Sequence, residues 1–353
     1  MQNNQTYYIG IDFHKKNSYV TAINEEGEIQ FQRKVENEER YLKGFLNSLP
    51  LNSKIVIEAT CNWYYFYETV EDRFPVTLAH PLKTKAIASA RIKNDKIDSH
   101  ILAQLLRAAL IPPAYIPSRE ARDIKEILRY RCCLVFTRTS LKNRVHAILS
   151  KNGLNCSYSD VFGKKACKWL LELKLRECYR RELEGYVRLA NALNEEITKI
   201  EQVIDKEAEK TTEAVLLDTI PGIGKFSALL ISAEIGEIAR FPSANKLCSY
   251  AGLVPSMRVS GDRVKKGSIT KQGSRWLRWI LVENAYHIIN QSFKFRFFYE
   301  RIKAKHGPNA AKIAVARKVL RIIYYMLRNG EPYREKAIKI IRDGRTPEGH
   351  APL

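Results

Sequence analysis

The first eighty residues constrain the fold most. YYIGID, SYVTAIN and GEIQFQRKV are short runs rich in β-branched and aromatic residues, and the last two alternate apolar with polar side chains. A period of two marks strands with one buried face, and the NEEGE segment between the second and third runs has turn chemistry. Three such strands joined tightly form an antiparallel meander. A helix-patterned segment follows (NEERYLKGFLNSL), then an apolar strand, KIVIEAT. Next come a helix from about residue 62, a short strand, PVTLAH, and a helix expected to run through KTKAIASARI.

A meander followed by alternating helix and strand is the order of a ribonuclease-H-like (RuvC-like) α/β domain, in which the fourth strand lies beside the first. That pairing would bring Asp12, at the end of the first strand, next to Glu58, near the end of the fourth. A carboxylate is costly to bury without a partner, so each is either a strand-end turn residue or a ligand. A second acidic pair lies in KNDKIDSHILAQLL, residues 93–106. Asp95 and Asp98 stand three apart where a basic segment becomes an apolar-periodic helix, which puts them on one face about a turn apart. Taken alone, this pair leaves a helix cap and a metal ligand both open. Four converging carboxylates favour metal, because hard oxygen donors suit magnesium or manganese. Two such ions about 4 Å apart polarise both oxygens of a phosphoryl transfer.

Charge points the same way. Lys and Arg outnumber Asp and Glu 59 to 38, a net of +21, which calls for a polyanionic partner, most simply nucleic acid. A membrane surface would be the competing partner, but no basic amphipathic terminus supports it. No apolar run nears the ~20 residues that span a bilayer, and MQNNQTYYIG lacks the regions of a secretory signal, so a cytoplasmic protein is expected. Seven cysteines without a CxxC pair argue against a zinc ribbon and against a disulfide framework.

The Pro-rich segment AALIPPAYIPSRE reads as a boundary. Residues 119–151 beyond it form one long basic helix, in which Arg122, Lys125, Arg129, Arg138, Lys142 and Arg144 alternate with apolar residues. Such a face is either merely solvated or in contact with a phosphate backbone; Arg129, Arg138 and Lys142 are the candidates. Residues 180–215 carry a heptad-like seam, Tyr186, Leu189, Leu193, Ile197, Ile200, Ile204 and Ala208, read as a coiled-coil oligomerisation arm in preference to an internal helical hairpin. LLDTIPGIGKFSALLISAEIG reads as a helix-hairpin-helix element, where Gly222, Gly224 and Lys225 would bring backbone amides to a phosphate. SMRVSGDRVKKGSITKQGSRWLR reads as a basic loop presenting Arg258, Arg263, Lys265, Lys266, Lys271 and Arg275 to nucleic acid, with Trp276 and Trp279 packing on the next helix. The expected organisation is a catalytic domain over 1–115, a basic helix and coiled-coil linker over 116–215, a mainly helical domain over 216–330 and a tail over 331–353.

Five stretches carry a resemblance: YIGIDFHKK, IEATCNWYYFYETV, ARIKNDKIDSHILAQLLR, IPGIGKFSALLISAEIGEIARFPSANKLCSYAGLVP and GSITKQGSRWLR. Over nearly its whole length the chain resembles the IS110-family transposases (IS110/IS1111, Piv-related). The resemblance implies a DEDD recombinase with a RuvC-like N-terminal domain and Asp12, Glu58, Asp95 and Asp98 as magnesium ligands. It also implies a serine nucleophile forming a 5′-phosphoserine link, at Ser260 of VSGD where relatives read SSGG; Ser256 is the other nearby hydroxyl. Nothing around Ser260 in the sequence marks it independently, since no histidine stands close by. The implied partners are donor and target DNA, a structured noncoding bridge RNA and further copies of the chain, as a dimer or tetramer. Three alternatives are a Piv-like DNA invertase, a RuvC-like junction nuclease acting by hydrolysis, and a catalytically silent nucleic-acid scaffold.

Overall fold

The N-terminal strands assemble as their alternation predicts. In the computed structural model, which describes residues 6–60, 63–88, 94–260 and 263–335, β1 (Tyr8–Phe13), β2 (Asn17–Ile23), β3 (Ile29–Glu36), β4 (Lys54–Glu58) and β5 (Val76–Ala79) form one sheet in the order β3-β2-β1-β4-β5. The meander is antiparallel, and β4 lies parallel to both β1 and β5. Ile9, Ile11, Ile55 and Ile57 face one side, where they form a fully buried core with Leu42 and Phe45 of α1 (Glu39–Asn47) and Phe66 of α2 (Trp63–Val70). Gly10, Asp12, Val56 and Glu58 therefore share the other side, since successive strand residues alternate faces. α4 (Asp95–Arg107) covers that side, with Leu102 against Val56 and Ala79.

The helix expected through KTKAIASARI is shorter. α3 (Pro81–Ile87) gives way to an extended Ala88. Of its residues only Thr84 is buried, so there is no apolar face whose packing would propagate it. Residues 89–93 of that expectation lie outside the described residues.

The chain divides into two units, residues 1–117 and 118–353. The second is mainly helical: α5 (Arg119–Lys151), α6 (Lys164–Glu172), α7 (Glu177–Lys210), α8 (Thr212–Asp218), α9 (Lys225–Ile235), α10 (Ala244–Tyr250), α11 (Arg275–Gln291), α12 (Phe293–His306) and α13 (Pro308–Asn329). α5 and α7 pair within the chain, running antiparallel. Their contact residues follow a heptad stepping by four and three, with a phase that differs from the predicted seam. Leu183, Val187, Ala190, Ile197, Ile204 and Ala208 are buried, whereas Leu189 is 53% exposed. The two remaining heptad positions hold Asn194 and Glu201. Arg138 donates to Asn194 at 2.8 Å, and Arg131 meets Glu201 at 2.6 Å. Polar residues bonded across the seam are what an apolar count misses.

A second difference concerns the basic loop. Residues 255–269 form a two-stranded antiparallel hairpin, β6 (Pro255–Ser260) and β7 (Arg263–Ile269), with Ser260 opposite Arg263. Val259 and Val264 are register partners across the hairpin, an apolar pair that the surrounding cations obscure in the sequence. Among the described residues no helix is long and apolar enough to cross a membrane.

Candidate active site

Two residues set the position of α4. At Gly10 an added Cβ would stand 2.5 Å from the Ala103 amide nitrogen and closer still to the Ser99 carbonyl oxygen. Only glycine lets the helix backbone rest directly on β1. Across the same contact Ser99 and Thr21 share a buried hydroxyl hydrogen bond of 2.7 Å, tying α4 to β2. At the other end of the helix, Gln104 and Arg107 donate to the carbonyls of Gly27 and Glu25.

Asn94 is the N-cap of α4, accepting from the Lys96 amide at 3.0 Å. The capping role is thus filled by the asparagine, and Asp95 and Asp98 are both first-turn residues with carboxylates free for other work. Asp12, the penultimate residue of β1, lies beneath them. The residue after it on the strand's own face is His14, whose Nε2 lies 3.2 Å from Asp12 Oδ2 and 3.4 Å from Asp95 Oδ2. The ligand atoms of Asp12, His14 and Asp95 all fall within 4.8 Å of one another, a group that can hold a divalent metal.

The electrostatics suit a cation. Burial pushes the Asp12 carboxyl above its ordinary value, His14 pulls it back, and Asp95 and Asp98 push it up again. A half-buried carboxylate facing two more carboxylates is stabilised by any positive charge placed among them. Beside the group runs a cleft of about 370 Å³ lined by His14, Asp95, Lys15, Lys16 and Lys34. Lysines flanking carboxylates fit a phosphate backbone lying across the acidic group.

The four predicted carboxylates are placed as follows. Asp12 and Asp95 come together. Asp98, a turn along α4, acts on Asp12 through its charge. Glu58 follows Ile57, which pairs with Ile11 in the parallel register, so Glu58 and Asp12 are consecutive neighbours on adjacent strands. His14 was missed in the sequence. Its signal was the i,i+2 spacing from Asp12, which puts both on one face of an extended chain. Ser260 closes β6 in the second unit, and Ser256 lies four residues earlier on that strand.

The basic candidates are spread differently from expectation. Arg122 and Lys125 of α5 are each only 5% exposed, and Lys125 faces α9. The Glu234 carboxylate, also buried, faces Lys125 and meets Arg129 at 3.5 Å, and accepts from Ser274 Oγ at 2.8 Å. Arg129 also pairs with Glu126; the Lys142 ammonium lies 4.5 Å from the Phe162 ring centroid. In the turn between α8 and α9, Gly222 has φ +86°, and a Cβ there would stand 2.6 Å from the Ile288 amide of α11. That glycine serves close packing against α11. Gly224 is exposed at the N-cap of α9, and Lys225 pairs with Glu209 at 2.6 Å. Lys271 adopts φ +54°, and Arg275 is exposed at the start of α11. Arg258 and Arg263 sit on β6 and β7, as do Lys265 and Lys266, with Arg258 opposite Lys265.

An acidic group between α4 and β1, the central strand of the sheet, flanked by lysines in a chain of net charge +21, has the make-up of a metal-dependent enzyme acting on nucleic acid. Comparison with known proteins agrees. A transposase profile of the DEDD IS110 type matches residues 9–152, and one described as "Transposase IS116/IS110/IS902 family" matches residues 214–300. The chain belongs to the IS110/IS1111 family of transposases. It is 27% identical to the transposase for insertion sequence element IS1111A of Coxiella burnetii over 342 residues, covering 92% of this chain and 91% of the relative. It is 24% identical to a probable family 20 transposase of Pseudomonas aeruginosa, covering 92% and 98%. A pilin gene-inverting protein of Moraxella bovis is 27% identical, covering 79% and 81%.

Proposed function

We propose that the chain mobilises an insertion sequence by site-specific strand exchange, using Asp12, Glu58, Asp95 and Asp98 of a ribonuclease-H-like (RuvC-like) unit together with the Ser260 hydroxyl. The observation that carries the reading is the convergence of Asp12 and Asp95, beside a lysine-lined cleft, in a chain that matches both transposase profiles. The four carboxylates would hold magnesium, or manganese in its place, which when bound draws charge from the scissile phosphate and lowers the pKa of an attacking hydroxyl.

The chain's own groups do the rest. Lys15, Lys16 and Lys34 hold the backbone phosphates across the acidic group. Ser260 Oγ attacks phosphorus and loses its proton, the P–O3′ bond breaks, and the departing 3′ oxygen takes up a proton. The 5′ phosphate stays ester-linked to Ser260. Rejoining runs the same step backward: a 3′-hydroxyl attacks the phosphoserine, the P–Oγ bond breaks, and the serine recovers its proton. The number of phosphodiester bonds is conserved, so no energy source is needed.

The charge of +21 supports donor and target DNA as partners; the resemblance to the family implies in addition a structured bridge RNA whose pairing would supply target choice while the protein reads backbone and shape. Arg129, Arg138, Lys142, Arg258, Arg263, Lys265, Lys266, Lys271 and Arg275, with Gly224 and Lys225 at the start of α9, are the proposed nucleic-acid contacts. A dimer or tetramer is the proposed assembly. The likeness to the Moraxella protein supports a second reading, inversion of a fixed DNA segment by the same chemistry.

Asp12→Asn tests the metal half. Calorimetry with manganese should show a binding isotherm for the wild type and none for the variant. Strand cleavage by Asp12→Asn at the wild-type rate would overturn the carboxylate mechanism.

A further inference from the structure

Away from the carboxylates, the start of α11 carries an aromatic cleft. Trp276 and Trp279 stand three apart, so they emerge on one side of the helix. The packing expected of them falls mainly to Leu277, Ile280 and Leu281, which are buried, while the two tryptophans are half-buried. Their rings meet edge to face with centroids 5.7 Å apart, and Trp279 meets Phe136 of α5 at 5.9 Å. Phe136 is 53% exposed. With Ile269 at the end of β7, these rings bound a cleft of about 430 Å³.

The rim is cationic. Arg275 places its guanidinium 5.7 Å from the centroid of Trp276. Arg278 is held in place by donating to the Ala251 carbonyl at 3.0 Å. Among the described residues lining the cleft, Glu283 is the only acidic one. An aliphatic protein segment would be satisfied by the rings alone and would have no use for two arginines. A nucleotide uses both: its base stacks on aromatic faces regardless of sequence, and its phosphates pair with guanidinium groups. The volume lies within the range of small-ligand sites.

We propose that this cleft takes one unpaired nucleobase of a DNA strand, with the flanking phosphates on Arg275 and Arg278. The inference rests on the chain's being a DNA recombinase and is independent of which residue attacks phosphorus. Strand exchange exposes unpaired bases, and a stacking seat at the foot of the β6–β7 hairpin would hold one strand end while its partner is changed.

The test uses the full-length protein and two fluorescent probes, a twelve-nucleotide oligothymidylate and an abasic oligonucleotide with the same number of phosphates. Fluorescence anisotropy gives the affinity for each at fixed salt. The wild type should prefer the base-bearing probe. Trp276→Ala and Phe136→Ala should each weaken oligothymidylate binding about fivefold or more, while leaving abasic binding unchanged. Trp276→Phe should retain most of the preference. A misfolded variant would lose both probes together; Phe136→Ala, at an exposed position, then decides. Equal wild-type affinity for the two probes would overturn the proposal, as would a preference that survives both alanine variants. A change in oligomeric mass by light scattering with the preference intact would also overturn it, by showing a second copy in the cleft. Strand cleavage is measured separately, so a failure of the stacking seat is distinguishable from a failure of the recombinase reading.

Discussion

Gly10→Ala should damage catalysis more than it damages the fold. The new methyl carbon would stand 2.5 Å from the Ala103 nitrogen and 3.0 Å from Leu102 Cβ, and nearer still to the Ser99 carbonyl. Two of these three neighbours are helix backbone, so no rotamer change relieves the contact. Restoring van der Waals separation, about 3.5 Å, requires α4 to retreat from β1 by at least about 1 Å. Overpacking of this kind costs about 1–3 kcal/mol, which a domain of this size survives. The retreat also stretches the 2.7 Å bond between Ser99 and Thr21 and carries Asp95 and Asp98 away from Asp12. A displacement of about 1 Å in a reacting constellation costs on the order of a hundredfold in rate. Urea denaturation and metal-dependent cleavage of a DNA carrying the element's end, measured side by side, give the two numbers. Gly44→Ala is the control, because a Cβ there meets nothing within 4 Å; at this exposed helical position it should stabilise by about 0.5–1 kcal/mol. Full cleavage activity in folded Gly10→Ala would refute the claim that α4 positions the site through this contact.

Glu234→Gln should destabilise the second unit by about 3 kcal/mol, because it removes the anion from a buried group containing Arg129 and Lys125. The sign with pH follows from Lys125. Burial lowers its folded pKa below the ordinary 10.5, and Glu234 counters that shift. The penalty for holding the ammonium charged is present below the folded pKa and is relieved as pH rises toward 10.5. Without Glu234 the penalty grows, so urea denaturation should show the gap between variant and wild type narrowing from pH 7 to pH 10. Cys132 should resist thiol reagents in the native protein, since burial pushes its pKa up to about 11; Cys133 and Cys178 are exposed and should label first, as peptide mass spectrometry would show. Equal labelling of Cys132 and Cys133 would mean that this face of α5 is open.

Much of the N-terminal unit could be read in advance because strand patterning is local. Alternating residues gave the meander, and the element order placed β4 beside β1, hence Glu58 beside Asp12. His14 escaped because its neighbours are lysines, and a histidine in HKK reads as part of a charge run. Asp95 looked like a cap until Asn94 was seen filling that role. In the second unit the misses came from polar residues with structural partners. Asn194 and Glu201 hide the true phase of α7, and Lys125 reads as surface because Glu234, over a hundred residues away, cannot be paired with it by inspection. Gly222 looked like a phosphate contact, but its freedom from a Cβ is used against Ile288, a constraint visible only once α11 has been folded over it.

The central claim is that one chain combines carboxylate-held metal with a serine nucleophile. Its most direct test is to trap the full-length protein on DNA bearing the element's end, with magnesium, and to map any covalent protein–DNA link by mass spectrometry. The account predicts a phosphodiester-linked peptide at Ser260 that requires the metal and is absent from both Ser260→Ala and Asp12→Asn. Metal-dependent cleavage that persists undiminished in Ser260→Ala, releasing free 5′-phosphate ends and no adduct, would contradict it.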